Sequence, residues 1–218
     1  MQCAKLLFWC IPAVLVCAET ANPIKVTMTG APNGVVKVLI ENDSTTNLTA
    51  VAFSEPGHAY PYLNDAATRQ WHEVEPGKQT TIGFNLTLPA PLEFKAAVLA
   101  DGETFGDTGM IEMILAKRRA MLQALGIVLQ HLPLAGNGAT APTPLLPLFR
   151  SYKAEQLKGL SNDDPVRTAI INANLLMERK MQALTGESSD AIITAVVAML
   201  RDWQTSLSHS LPSLSAAR

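Results

Sequence analysis

Histidine is the side chain best suited to proton transfer or metal ligation near neutral pH, and the chain has four: His58, His72, His131 and His209. His58 and His72 fall in the first half. With Glu73 or Asp65 they would supply the nitrogen and oxygen ligands of a tetrahedral zinc site. The preferred reading leaves them as surface residues. His72-Glu73-Val74-Glu75 lacks the second histidine of a zinc-protease helix and sits in an extended pattern. Asp101-Gly102-Glu103-Thr104-Phe105-Gly106-Asp107 gathers carboxylates of the kind calcium takes, but without the spacing of an EF-hand loop. It reads instead as a hairpin turn at Asp101-Gly102 and a turn into a helix cap at Gly106-Asp107. There is no Gly-x-Ser-x-Gly elbow, no Walker loop and no dinucleotide fingerprint after a strand. No catalytic residue, metal or cofactor is therefore assigned.

The densest aromatic stretch is His58-Ala59-Tyr60-Pro61-Tyr62, with Trp71 and His72 close behind. Rings of this kind stack on sugars or anchor a protein interface. Tyr60, Tyr62, Trp71 and His72 are accordingly the candidate binding residues. The competing reading places Trp71 in the core and uses the tyrosines to cover an edge. Asn42, Asn47 and Asn85 match the glycan sequon, which carries meaning only in a eukaryotic secretory host.

The elements that must position these residues begin after an N-terminal targeting segment. Lys5 and the run Leu6 to Ala18 read as a secretory signal peptide of residues 1–18, with cleavage after Ala18 and a second site after Ala21. The apolar run is shorter than the ~20 residues a membrane span needs. An uncleaved anchor is the alternative. Lipidation at Cys17 would need a smaller residue than Val16 before it. All three cysteines lie here, so the expected mature chain has none and is held by packing alone. Losing Lys5 leaves 16 basic against 19 acidic residues, a net charge of −3. Nucleic acid is not an expected partner, and no later run is long enough to span a bilayer.

From residue 22 to 107 the pattern is β-structure. Ile24–Met28, Val35–Asn42, Leu48–Phe53, Trp71–Val74, Gln79–Leu88 and Leu92–Ala100 read as extended, separated by turns such as Glu75-Pro76-Gly77-Lys78. Residues 55–64 read as a long irregular piece. In Gln79–Leu88, Ile82, Phe84, Leu86 and Leu88 alternate with Thr81, Gly83, Asn85 and Thr87, so one face is buried and the other wet. About seven short strands suggest an immunoglobulin-like antiparallel β-sandwich.

From Thr108 the apolar period changes to about 3.6. Ile111, Leu115, Arg118, Leu122, Leu125, Leu129 and Leu132 form the seam of a first helix capped by Asp107 or Thr108. Arg118 interrupts it. The favoured reading lets its stem pack while the guanidinium reaches water or an edge carboxylate. The alternative is a salt bridge between the halves, with Asp101 or Asp107. Residues 133–144 read as a flexible loop. A second helix is expected from Pro144 or Pro147 to Lys158, a third from Asp164-Pro165 to Gly186 and a fourth from Ser188 or Ser189. The methionines at helical spacing read as core filling. The architecture expected is α+β: a sandwich at 22–107, a bundle of about four helices at 108–211 and a disordered tail at 212–218.

Glu41-Asn42-Asp43-Ser44 closing one strand and Pro76-Gly77 before the next resemble features of extracellular immunoglobulin-like modules. The strand, Asp101-Gly102 turn and helix also resemble a junction in uncharacterised secreted bacterial proteins with a β-sandwich followed by helices. This resemblance implies architecture and no activity. The reading is a secreted or periplasmic, non-enzymatic interaction protein of the cell envelope, with an envelope protein or glycan as partner. The alternatives are a hydrolase using Asp65, Glu73, Asp101 or Asp107, and a structural envelope subunit.

Overall fold

The computed structural model describes residues 22–30, 35–57, 60–69, 71–85, 92–132 and 145–211. The expected leader, the last residues of the strand read to Leu88, the loop at 133–144, the tail from 212 and His58 lie outside the described residues.

Two antiparallel sheets come first. β1 (Ile24–Gly30), β2 (Val35–Asn42) and β5 (Gln79–Asn85) form one sheet in the order β1-β2-β5. β3 (Leu48–Ser54), β4 (Tyr62–Asp65), β6 (Glu93–Leu99) and β7 (Thr104–Gly106) form the other in the order β4-β3-β6-β7. The chain crosses between sheets after β2, after β4 and after β5. Ile24, Val38, Ile40 and Phe84 from the first sheet meet Val51, Phe53, Ala97 and Leu99 from the second in a common core. Phe53 meets Phe84 and Phe94 edge to face, at centroid distances of 5.4 and 5.8 Å. β5 follows the alternation read in the sequence, with Phe84 buried and Thr81 and Gly83 exposed.

Two features of this half differ from the expected pattern. The piece around 55–64 contains strand β4, followed by a 3-10 turn at Ala66–Thr68. Trp71–Val74 contributes one bridge, Val74 to Leu48, rather than a strand. Asn42 stitches this end together. Its buried amide donates to the carbonyls of Thr46 (2.8 Å) and Val74 (2.7 Å), while its oxygen accepts from Ser44. A fully buried amide with these partners is a structural strut, so the sequon at Asn42 offers no exposed nitrogen.

The change of structure falls where the apolar period changes. β7 ends at Gly106, and α1 runs Thr108–His131, capped by Asp107, whose carboxylate accepts from the Met110 amide at 2.9 Å. Gly106 has φ +100, and a Cβ there would lie 2.0 Å from the Lys95 carbonyl. Only glycine lets the chain turn from sheet to helix so tightly. Among the described residues three helices follow: α2 (Leu145–Gln156), α3 (Pro165–Ala183) and α4 (Ser189–His209). Asp164 caps α3 with Pro165 in its first turn, and Ser188 caps α4.

The first turns of α1 lie on the outer face of the four-stranded sheet. Ile114 packs over Ala50, Ala52, Ala96 and Val98, and small side chains there let the helix approach. The rest of α1 packs with the other helices through Met121, Ala124, Leu125 and Val128, against Ile170, Ala173, Met177, Val196, Leu200 and Trp203. The buried face of α1 is thus wider than the expected seam and includes Ile114, Met121 and Val128. Met121, Met177 and Met181 fill core, while Met113 is exposed.

Candidate functional site

Each proposed binding residue is held by the segments around β4. Tyr62, in β4, lays its ring edge to face on Phe84 at 5.2 Å. Its hydroxyl donates to Glu55 at 2.8 Å, and this bond to a buried carboxylate raises its pKa. Trp71 is half-buried and packs, like Tyr62, against the core shared by the two sheets. Tyr60 is 77% exposed and His72 is also exposed. The four therefore divide into two anchored rings and two side chains facing solvent, on segments flanking β4 and the 3-10 turn. No group of three or more His, Cys, Asp or Glu suited to a metal ion exists among the described residues.

The acids considered for hydrolysis are mostly committed to structure. Asp107 caps α1. Asp101 accepts from the Glu103 amide at 3.0 Å and from the Thr46 hydroxyl at 3.3 Å. Asp65 holds the largest polar node among the described residues. Its carboxylate accepts from Arg118 Nε at 3.1 and 3.2 Å and from Nη2 at 2.9 Å. It also accepts from the Ala67 amide at 3.0 Å and so starts the 3-10 turn.

Arg118 is 0% and Asp65 1% exposed. The favoured sequence reading, a guanidinium at the edge, is thereby corrected: a salt bridge does join the halves, and its acid is neither Asp101 nor Asp107 but Asp65. The two terminal nitrogens find further acceptors. Nη2 reaches Thr49 Oγ1 at 2.9 Å, and Nη1 reaches the carbonyl of Ser210, just past α4, at 2.8 Å. One side chain of α1 thus ties β3, the end of β4 and the end of α4 together. A buried charge is tolerable only when paired and hydrogen-bonded in this way.

Thr49 reaches the node because of a β-bulge. Leu48 pairs with Leu99 and Ala50 with Val98, which leaves Thr49 as an extra residue in β3. Its hydroxyl donates to the Val98 carbonyl at 2.9 Å and accepts from Arg118. Bulges re-aim side chains, and this one sends Thr49 to the helix face of the sheet. A second tie lies beside it. Trp203 Nε1 donates to the Ala67 carbonyl at 2.8 Å, and the Arg69 guanidinium lies 5.2 Å from the centre of the Trp203 ring. Half-buried Lys117 lies close enough for Asp65 to oppose the lowering of its pKa by burial.

A cleft of about 160 Å³ opens along this seam. Thr49, Ala67, Glu73 and Ala100 line it from the β-half, and Ser206, His209 and Ser210 from the end of α4. A carboxylate, an imidazole and a hydroxyl therefore share one recess. The Glu73 carboxylate accepts from the Asn47 amide at 2.7 Å. Sequence reasoning singled out Glu73 and His209 separately and missed Thr49, Ser206 and Ser210. One signal was available: an arginine inside an apolar seam needs a buried acid, and Asp65 lies among Leu63, Ala66 and Ala67. Compared with protein-family models, curated proteins and solved structures, the chain matches none.

Proposed function

We propose that the chain is an exported, non-enzymatic interaction protein of the cell envelope, secreted or periplasmic, in which an immunoglobulin-like sandwich presents a binding surface and the helices brace it. The strand order β1-β2-β5 facing β4-β3-β6-β7, with three crossings between sheets, supports the immunoglobulin-like reading. The leader-like residues 1–18 and a remainder without cysteine support export.

The observation that carries the binding role is Tyr60. A tyrosine 77% exposed, next to Pro61 and just before the outermost strand β4, is a rigid amphipathic contact for a glycan or a protein. Tyr62 and Trp71 anchor the two segments from below, and His72 adds a polar contact. The partner is a glycan chain or protein of the envelope.

Two measurements test this. Fractionation of cells expressing the full chain should find it outside the cytoplasm with residues 1–18 removed. Capture from envelope extract by wild-type chain and by Tyr60→Ser should differ by about tenfold or more for the specific partner, as for an aromatic hot spot. Retention in the cytoplasm, equal capture by both proteins, or turnover of ester or peptide substrates would overturn the reading.

A further inference from the structure

We propose that two copies of the chain join through β5, antiparallel about a two-fold axis at Thr81, so that their three-stranded sheets continue as one six-stranded sheet. This goes beyond the binding role given to Tyr60 and does not rest on it.

The first support is that one sheet edge is unguarded. An edge strand offers a row of backbone donors and acceptors to another chain, and proteins blunt it with short strands, charges, prolines or bulges. Three of the four edges here have such a device. β7 is three residues long and runs into α1, and β4 is four residues long and runs into the 3-10 turn. β1 carries exposed Lys25, paired with Asp43. β5 has seven residues, Gln79–Asn85, with no charge and no proline, and its register with β2 is unbroken from Glu41↔Gln79 to Val35↔Asn85. Among the described residues its backbone bonds to β2 alone. Ile82, on the inner face of this strand, is only half-buried.

The second support is that β5 fits itself. Pairing centred on Thr81 sets that residue opposite its own copy, Ile82 opposite Thr80 of the second copy and Gln79 opposite Gly83. Cross-strand pairs of β-branched side chains stabilise antiparallel sheets. No like charges meet along the strand, because it has none.

The third support is charge on the neighbouring strand. Lys37 stands beside Gly83, and Glu41 beside Gln79. The Thr81 axis therefore puts Lys37 of one copy in the same row as Glu41 of the other, and the two-fold does so twice. Three strand spacings, about 14 Å, separate them. Gly83 has no side chain in the way, and even a Cβ there would meet only Val35, at 4.0 Å. The lysine stem can lie across it toward the glutamate. An axis at Ile82 would instead align each lysine with Leu39, so charge selects Thr81. The contact is one strand long, about 24 Å, and belongs to the small, weak class of interface.

Sedimentation equilibrium of the purified full chain tests this from about 10 μM to 1 mM, the range of a weak interface. Wild type should pass from monomer to dimer and no further. Lys37→Glu and Glu41→Lys, each alone, should weaken the dimer about tenfold or more, since like charges then share each row. The double exchange Lys37→Glu, Glu41→Lys should restore it to within about threefold of wild type. Thr81→Lys sets two ammonium groups against each other at the axis and should leave monomer. Thr27→Lys, on the other edge of the same sheet, should change dimerisation less than about twofold, a screened surface effect. A chain monomeric throughout, equal effects of Thr81→Lys and Thr27→Lys, or a double exchange no better than the single ones would overturn the proposal. So would growth beyond the dimer, which a contact closed by a two-fold axis does not give.

Discussion

Replacing Arg118 by methionine tests the central joint of the molecule. The methionine fills much of the same stem volume but removes five contacts, three of them to Asp65 and one each to Thr49 and Ser210. Asp65 is then a buried carboxylate whose remaining donor here is the Ala67 amide. Breaking one side of a buried pair costs about 3–5 kcal/mol, whereas an exposed pair contributes about 1 kcal/mol or less. Single domains of ordinary stability have about 5–15 kcal/mol in total, so the variant should fold but be markedly weakened. In urea, with a slope near 2 kcal/mol per molar, the midpoint should fall by about 2 M. Tryptophan fluorescence and far-UV circular dichroism should report the same shift. Asp65→Asn keeps an acceptor for the 3-10 turn while removing the charge. The double variant Asp65→Asn, Arg118→Met should lose clearly less than the sum of the single losses, with a coupling of about 2 kcal/mol or more. A loss below about 1 kcal/mol for Arg118→Met, the size expected of a surface pair, would show that the pair does not carry the joint. So would strict additivity of the two changes.

Two further expectations concern the junction and the edge of the β-half. Gly106→Ala places a Cβ 2.0 Å from the Lys95 carbonyl at φ +100, so it should cost about 2 kcal/mol or more. Gly77→Ala, also at positive φ but with open space around it, should cost about 1 kcal/mol, and similar losses at the two sites by urea denaturation would contradict this account. For Tyr62, the hydrogen bond to Glu55 raises the folded-state pKa above the ordinary value of about 10. Its contribution to stability is full below the unfolded value and is lost as pH rises through the folded one. Ultraviolet titration of wild type against Tyr62→Phe should assign to Tyr62 a component ionising above the ordinary range, and a component at or below that range would be evidence against the bond.

Much of the architecture was legible because its causes are local. Alternation in Gln79–Asn85, the Asp107 cap, the Asp164-Pro165 start of α3 and the Ser188 start of α4 are interactions within a few residues, and sequence spacing displays them. Strand β4 was missed because four residues between turns carry too little periodicity, and Trp71–Val74 was over-read because one bridge can resemble a strand in composition. The seam of α1 was drawn too narrow because a helix pressed between a sheet and other helices buries more than one stripe.

The order of amino acids was enough to place the change from strands to helices at Gly106-Asp107, since the apolar period, the positive-φ glycine and the cap all act within one turn of chain. Where the charge of Arg118 goes, and what it holds together, was settled by packing in three dimensions. Asp65 lies 53 residues away, and the Thr49 hydroxyl is aimed at the guanidinium by an extra residue in one strand. Such a pairing is chosen by burial, because a guanidinium removed from water must find its acceptors among whatever the packed elements bring within reach.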